Sequence, residues 1–396
     1  MINLTTTLVS FFNTNNIGDR LISNSLKDKL SKYDDLILCD FLSQNDFSNE
    51  IKISEDESKD EGKGSFKVNV LSKAANLGFG SILSKISYDQ AIKKNNFINE
   101  KYENSLNTTD QLIIGGGNMI FDVLSYSSWS GRFSYYVNKA VDKDIPIFAI
   151  SIGIGPFQNS FQHELAVSAL KKCEYITFRD YKSLALFKEL APEYENAWVV
   201  PDPVFFMDKN KEDVPKDIIA VNVINTKLFP NNISYSEIIK NYALLVDKLA
   251  TKFNKKIVIF NTESKDYQAC LDVYNHLSNK DNCEIINVAN IQTLLSIYEK
   301  SEILIGTRMH SLITAFSQRV PIIGLYWQQK VAGMFDLIED KTSLYKLSDF
   351  QNQIDEIVNL TDFKMRNNQN NYFDKIEDKL TELERSNNVI LESIYS

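Results

Sequence analysis

Residues 303–325 read ILIGTRMHSLITAFSQRVPIIGL, which is a strand, a helix and a strand in immediate succession. The first apolar run ends at Gly306 and the second begins at Pro321, with apolar residues at helical spacing between them. Two short buried strands joined through one helix are the repeating unit of α/β proteins with parallel sheets. The stretch therefore predicts an α/β fold.

The same alternation recurs in two series along the chain, with a proline- and charge-rich linker predicted near 205–217. It predicts two Rossmann-like domains with mostly parallel sheets, residues 1–205 and 218–365, and a C-terminal helical segment over 366–396. The predicted strands are Leu4–Phe11, Leu36–Cys39, Gln111–Ile114, Ile147–Ile150, Tyr175–Phe178, Trp198–Val200, Ile218–Ile224, Lys256–Asn261, Glu284–Val288, Ile303–Ile305 and Pro321–Leu325. The predicted helices are Asp19–Leu30, Arg132–Asp142, Gln162–Lys172, Tyr181–Leu190, Tyr235–Phe253, Lys265–Leu277, Ile291–Lys300 and one opening at Thr307.

Composition excludes several classes of protein. With 43% hydrophobic residues and a net charge of -9, the chain is neither disordered nor a nonspecific nucleic-acid binder. Its four cysteines form no CxxC pair and it has three histidines, so we expect buried thiols and no zinc site. Its first residues lack the basic region and small-residue cleavage site typical of a signal peptide, and no run of about 18 apolar residues occurs, so we expect a cytoplasmic protein. The acidic segment 41–65 is either a solvated insertion or a lid.

Four predicted loops lie at the carboxyl ends of strands, the edge at which open parallel sheets bind ligands. The first, Asn16-Ile-Gly18-Asp19, opens a helix whose free N–H groups suit an anion or a polar ligand. Asp19 alternatively serves only to stabilise the helix N-terminus. This loop is a candidate binding site, with a purely structural role as the alternative.

The second and third loops are rich in glycine. The second follows the strand QLII and allows a ligand to approach the bare backbone as an anion-binding nest. It is not a GxGxxG motif, so it predicts no NAD site. The third, in SIGIGP, either contacts a ligand or forms a tight turn. The candidate binding residues are Gly115, Gly116, Gly117, Asn118, Gly153 and Gly155.

An arginine follows a predicted buried strand in the stretch FRDYKS. The guanidinium of Arg179 cannot lose its charge, so it requires a partner. That partner is either Asp180 or Asp202 of the chain, or the carboxylate or phosphate of a substrate.

The fourth loop carries the strongest candidates. Thr307 is the expected N-cap of the helix, with Arg308 and His310 in its first turn. A cation beside the positive end of a helix is unfavourable unless an anion compensates it, so an anion site is predicted there. His310 is the candidate acid/base. Tyr326 and Lys330 follow the next strand and either reach the same opening or belong to the core edge and the solvated surface.

In order along the chain, NIGD, IIGGGNMIFD, SIGIGP, FRDYKS, PDPVF, GTRMHSLITAF and VPIIGLYWQQK resemble the polysaccharide pyruvyl transferase family. One departure is Asn15, where family members usually carry glycine. The resemblance implies a GT-B-like architecture with a cleft between two Rossmann-like halves. By similarity, Arg179, Arg308 and His310 match functional positions of the family.

The resemblance also implies a reaction. A pyruvate-derived group passes from phosphoenolpyruvate to two hydroxyls of a saccharide acceptor, lipid-linked or otherwise, and a cyclic ketal forms without any cofactor or metal. Peripheral association with a membrane is compatible with such an acceptor. Two alternatives stay open: a GT-B glycosyltransferase that uses a nucleotide sugar, and a non-catalytic binding relative in polysaccharide assembly.

Overall fold

The computed structural model describes residues 4–14, 16–42, 80–122, 129–208, 214–228 and 234–366, together with single helical positions between 373 and 388. Predictions for Asn15, for residues 43–65 of the acidic segment and for most of the segment 366–396 therefore lie outside the described residues. The chain divides into two compact units. Unit 1 comprises residues 1–13, 22–202 and 390–396, and unit 2 comprises residues 14–21 and 203–389.

Unit 1 contains a six-stranded sheet in the order β2-β1-β3-β4-β5-β6, and every pair of neighbours is parallel. Its strands are β1 Thr5–Ser10, β2 Asp35–Asp40, β3 Gln111–Ile120, β4 Ile147–Ile154, β5 Tyr175–Phe178 and β6 Ala197–Val199. Its helices are α1 Ile17–Leu30, which begins in unit 2, then α2 Gly80–Lys93, α3 Glu100–Ser105, α4 Trp129–Val141, α5 Ser160–Leu170 and α6 Tyr181–Lys188.

Unit 2 contains a second six-stranded parallel sheet in the order β12-β11-β10-β7-β8-β9. Its strands are β7 Ile218–Asn222, β8 Lys256–Phe260, β9 Cys283–Ile286, β10 Ser301–Gly306, β11 Ile322–Tyr326 and β12 Leu344–Lys346. Its helices are α7 Tyr235–Phe253, α8 Tyr267–Asn275, α9 Ile291–Lys300, α10 Met309–Ser317, α11 Gln329–Leu337 and α12 Phe350–Arg366. Two parallel α/β units confirm the predicted fold class.

The prediction that residues 115–118 form a loop is wrong, because β3 continues to Ile120. A Cβ on Gly115 would lie 2.9 Å from Leu26 Cδ1, and one on Gly116 would lie 2.4 Å from Ile22 Cγ2. Both contacts are with side chains of α1. These two glycines let α1 pack closely on β3, which accounts for them without a ligand.

The SIGIGP stretch is also strand rather than loop as far as Ile154. The turn begins at Gly155, whose φ of +78° lies in the left-handed region that glycine adopts without strain, and a cis peptide bond to Pro156 follows. The strand ends at Ile154 rather than at the expected Ile150, because the residues up to Ile154 still pair with β3, where Gly153 is opposite Asn118.

Each unit has its own hydrophobic core of buried side chains. All four cysteines are free thiols; Cys39, Cys173 and Cys270 are buried and Cys283 is partly buried. His276 is exposed. His163 instead is half-buried, because its ring stacks on Phe157 and its Nε2 lies 2.8 Å from the Leu186 carbonyl oxygen.

Among the described residues, no helix combines the length and the apolar character needed to cross a bilayer. Within the same residues, no group of three or more His, Cys, Asp or Glu side chains is arranged to hold a metal ion.

Candidate functional site

The sheet of unit 2 reverses its strand order between β7 and β10, and ligands of such sheets bind outside the carboxyl ends of the strands at this point. Asn222 ends β7, and its Oδ1 accepts the backbone N–H of Arg308 at 3.0 Å. Arg308 itself is the N-cap of α10, so the expectation that Thr307 caps this helix is wrong. The Thr307 side chain is buried and hydrogen-bonds the hydroxyl of Tyr242. The backbone of Arg308 is thus fixed at the point of reversal.

Two carboxylates of the chain bind the Arg308 guanidinium. Nε and Nη2 donate to the two oxygens of Asp266 at 2.8 and 2.9 Å, and Nη1 donates to Oε1 of Glu263 at 2.7 Å. The arginine side chain is 13% exposed, and Asp266 is fully buried. The anion that the sequence requires beside this helix end is therefore present within the chain. Three of the five guanidinium N–H groups are engaged, which leaves two for a ligand.

Burial and charge oppose each other in this cluster. Burial raises the pKa of Asp266 above its ordinary value, although Arg308 acts in the other direction. Burial also acts to raise the pKa of Glu263, but the positive charges of Arg308, Lys265 and Lys330 outweigh it and hold that pKa below its ordinary value. Burial alone would lower the pKa of Arg308, and the two carboxylates more than reverse this effect. These effects together favour the charged forms of Glu263 and Arg308, whereas burial disfavours the charged form of Asp266.

His310 is the second residue of α10 and is partly buried. Its imidazole lies directly against Gly18, the second residue of α1: a Cβ on Gly18 would be 2.2 Å from Nδ1 and 2.5 Å from Cγ of the ring. Glycine is therefore the one residue that fits at position 18 without moving the histidine.

The loop before α1 connects to the same cluster. Asn16 forms an isolated antiparallel bridge with Glu263, and its Nδ2 lies 3.4 Å from Glu263 Oε1. Its Oδ1 accepts the backbone N–H of Gly18 at 2.9 Å, which fixes the first turn of the helix. Asp19 lies in that turn and is partly buried. The structure thus brings Asn16 and Gly18 together with Arg308 and His310.

Of the two residues predicted after the next strand, Lys330 is close to this group. Tyr326 is the last residue of β11, and Lys330 is the second residue of α11; both are partly buried. Lys330 lies near enough to Glu263 to lower its pKa. Lys330 therefore faces the cluster rather than the solvated surface.

Unit 1 contains a separate buried arginine. Arg179 follows β5 and is 7% exposed. Within the described part of the chain, its Nε and Nη1 are buried and have no hydrogen-bond partner. Asp180 is 3.9 Å from Nε, beyond hydrogen-bond range, and instead caps α6 by accepting the Ser183 N–H at 2.7 Å. The chain therefore leaves this guanidinium incompletely satisfied, which is costly unless a ligand supplies the missing acceptors.

The guanidinium lies over bare backbone. A Cβ on Gly153 would be 2.6 Å from Arg179 Nε and 2.8 Å from Nη2, so this glycine makes room for the arginine. Two residues earlier, Ser151 is 1% exposed and has φ +54°, a strained conformation for a non-glycine residue. No described group hydrogen-bonds its Oγ. Sequence reasoning singled out the glycines here and missed Ser151, since left-handed backbone at a serine leaves no trace in the sequence.

The remaining predicted residues have structural contacts. Asn118 lies in β3, and its Nδ2 is 3.5 Å from the carbonyl oxygen of Gly155. Gly117, like Gly116, has a positive φ. Sequence reasoning also missed Glu263 and Asp266. A signal for them existed, because the stretch NTESKD places both directly after β8 at the carboxyl edge of the sheet.

The sequence model of the polysaccharide pyruvyl transferase family matches residues 16–329. The chain belongs to this family. The matched range includes the Asn16 loop, Arg179, Arg308 and His310, and it ends one residue before Lys330. No curated protein sequence matches the chain.

Several solved structures resemble the fold at low sequence identity. UDP-GlcNAc 2-epimerase from Methanocaldococcus jannaschii has a TM-score of 0.50 and 12% identity, over 90% of this chain and 92% of that one. A glycosyltransferase from Rickettsia africae has a TM-score of 0.50 and 12% identity, over 100% and 99%. The structure of accessory secretory protein 1, 2 and 3 from Streptococcus pneumoniae has a TM-score of 0.39 and 15% identity. The match covers 72% of this chain and 57% of that one. The first two similarities show that this chain has a GT-B-like fold.

Proposed function

We propose that this protein transfers the pyruvate-derived group of phosphoenolpyruvate to two hydroxyls of a saccharide and so forms a pyruvate ketal. The observation that carries the proposal is Arg179, a buried guanidinium whose Nε and Nη1 have no acceptor in the described chain. A small, highly charged anion such as phosphoenolpyruvate provides the oxygens that such a guanidinium binds best. Family membership supplies the class of acceptor.

The chemistry assigns a role to each side chain. His310 protonates the methylene carbon of phosphoenolpyruvate, and the adjacent carbon becomes electrophilic. One sugar hydroxyl attacks that carbon and gives its proton to His310, which restores the protonated imidazole; the C–O bond to phosphate then breaks, and a second hydroxyl attacks and closes the ketal. The methylene thus gains one proton, and the second hydroxyl proton leaves with phosphate. Arg179 and the two N–H groups of Arg308 not held by carboxylates bind the anionic groups and stabilise the departing phosphate.

The direct test measures phosphate released from phosphoenolpyruvate with the full chain and a panel of saccharide acceptors. We expect phosphate release that depends on the acceptor and a product heavier by the pyruvate-derived group. Tight binding of a UDP-, GDP- or CMP-sugar with no release of phosphate would instead support a nucleotide-sugar glycosyltransferase and overturn the proposal.

His310→Gln removes the proton-transfer group while keeping a polar side chain of similar size. We expect kcat to fall by about 10²–10⁴-fold, the usual contribution of general acid–base catalysis, with the melting temperature little changed. His276→Gln is the matched control, because that histidine is exposed on unit 2. Near-normal turnover by His310→Gln would remove His310 from this role.

A further inference from the structure

Glu263 links three segments of unit 2 through one carboxylate. Its Oε1 accepts from Arg308 Nη1 at 2.7 Å and faces Asn16 Nδ2 at 3.4 Å, while its Oε2 lies 2.7 Å from Lys265 Nζ. The side chain is 15% exposed. A single group therefore contacts the loop before α1, its own loop after β8 and the N-cap of α10.

The contacts of Asn16 continue from Glu263 towards His310. The backbone bridge between Asn16 and Glu263 fixes the two loops together, and Asn16 Oδ1 holds the N–H of Gly18. Gly18 in turn lies against the imidazole of His310 with no room for a side chain. The position of the His310 ring thus depends on the same carboxylate that binds Arg308.

Asp266 has a different part in this arrangement. It binds two nitrogens of Arg308 in a bidentate pair and also accepts the backbone N–H of Asn225 at 2.9 Å, so it anchors the plane of the guanidinium from within unit 2. Keeping two carboxylates in a buried cluster is an expensive way to stabilise a fold, because apolar replacements of such pairs are often at least as stable. Their geometry is better explained by the precise placement of Arg308 and His310.

We propose that Glu263 is a positioning residue: it couples Arg308 to the first turn of α1 and thereby holds the His310 ring in place for proton transfer. This inference rests on the proposed function of His310 as the acid/base. Glu263 itself transfers no proton in that function. It adds a residue pair, Asn16 and Glu263, whose removal disturbs catalysis without removing any group that touches the donor.

The kinetic test compares Glu263→Gln with Glu302→Gln. The glutamine keeps an oxygen for Arg308 but changes the contacts with Lys265 and Asn16. Glu302 is the matched control, since it is 17% exposed, paired with Lys255 and located on the same sheet at the opposite end of β10. We expect Glu263→Gln to lower kcat by about 10²-fold, as small misplacements of catalytic groups do, with little change in the KM for phosphoenolpyruvate. An unchanged kcat, or an equal loss in Glu302→Gln, would overturn the inference.

A spectroscopic test separates this inference from the proposed function. The chain has three histidines, so the Cε1–H resonance of His310 is assigned by its absence in His310→Gln. We expect Glu263→Gln to move the His310 resonance and to leave those of His163 and His276 in place, whether or not the wild type releases phosphate. A His310 resonance that does not move would contradict the coupling even if phosphoenolpyruvate proves to be the donor.

A double-mutant cycle tests the path through Asn16. If Asn16 and Glu263 act on His310 through their mutual contact, the two substitutions are not independent. The double variant Asn16→Ala/Glu263→Gln will then lose less kcat than the product of the fold-losses of the two single variants. Independent, multiplying effects would show that Glu263 does not act through Asn16.

Discussion

At the scale of single residues, Gly18 has the most restrictive environment of the candidate site. Its φ lies outside the left-handed region, so alanine would be acceptable to the backbone. The obstacle is the His310 ring, with its Cβ 2.7 Å and its Nδ1 2.2 Å from the position of an added methyl group. These atoms belong to the base of a short side chain, so the whole imidazole has to move.

Gly18→Ala is therefore expected to lower kcat by about 10²-fold, because the acid/base group is displaced while the chain still folds. Steady-state kinetics with a thermal melt provide the measurement. Gly131→Ala is the matched control. Gly131 lies in α4, and its added Cβ would be 2.7 Å from the ring of Tyr88 in α2, so the variant should lower the melting temperature and leave the kcat of the folded enzyme unchanged. Wild-type turnover in Gly18→Ala would show that His310 tolerates displacement.

Individual residues also show where sequence reasoning succeeded and where it failed. An anion beside Arg308 was predicted from helix electrostatics, and the structure provides it as Glu263 and Asp266. Carboxylates of the chain were not foreseen as this negative charge, because Glu263 and Asp266 lie 45 and 42 positions from Arg308 in the sequence and meet it only when the sheet forms. Arg179 differs, since Asp180, one of the three alternative partners considered for it, caps α6 instead.

At the scale of elements, helices were predictable where a polar cap precedes an amphipathic run. The bounds Tyr235–Phe253 and Ile291–Lys300 agree with the structure at both ends. Ser234 and Asn290 cap these helices through their side chains, which is the signal that the sequence carries. The helices α2, α3, α11 and α12 and the strand β12 were not predicted, although α12 buries Phe350, Ile354, Ile357 and Val358 at helical spacing.

The glycines of β3 illustrate the opposite error. Three successive glycines indicate a turn locally, yet β3 passes through them because β4 pairs with it on both sides of the stretch. Pairing and the close packing of α1 override the local preference. The sequence therefore indicates that glycine is required in this stretch, but only the fold shows that the close packing of α1 is the reason.

Gly116→Ala is accordingly expected to destabilise unit 1. Its φ of +87° is unfavourable for alanine, and the added Cβ would lie 2.4 Å from Ile22 Cγ2. The two effects together should lower the free energy of unfolding by about 2–5 kcal/mol, measured by urea denaturation. The double variant Gly116→Ala/Ile22→Ala should not recover the backbone part of the loss. Unfolding of Gly116→Ala at the wild-type urea midpoint would refute the packing role of this glycine.

At the scale of the whole molecule, buried tyrosines determine the response to alkali. Burial raises the pKa of Tyr102, Tyr136, Tyr242 and Tyr298 far above the ordinary value, two of them in each unit. Above about pH 10, each of these groups stays protonated in the folded chain but loses its proton in the unfolded chain. The unfolded state therefore binds fewer protons, and stability falls as pH rises.

The expected loss is about 1.4 kcal/mol per pH unit for each such tyrosine above about pH 10. Tyrosinate absorbance and circular dichroism recorded during an alkaline titration measure it. Exposed tyrosines should ionise first, and the four buried tyrosines should ionise only as the helical signal is lost. Smooth ionisation of all tyrosines without unfolding would contradict the burial described here.

The pairing of Arg308 and Lys265 with Glu263 and Asp266 also has a consequence for how ligands arrive. Each cation of this cluster faces a carboxylate within the chain, so its field weakens within a few ångströms. With a net charge of -9, the protein as a whole repels anions at long range. The anionic donor proposed above would therefore approach the protein without attractive electrostatic steering and would be recognised only on contact. Selectivity then comes from the fixed geometry of a few hydrogen-bond donors rather than from accumulated positive charge.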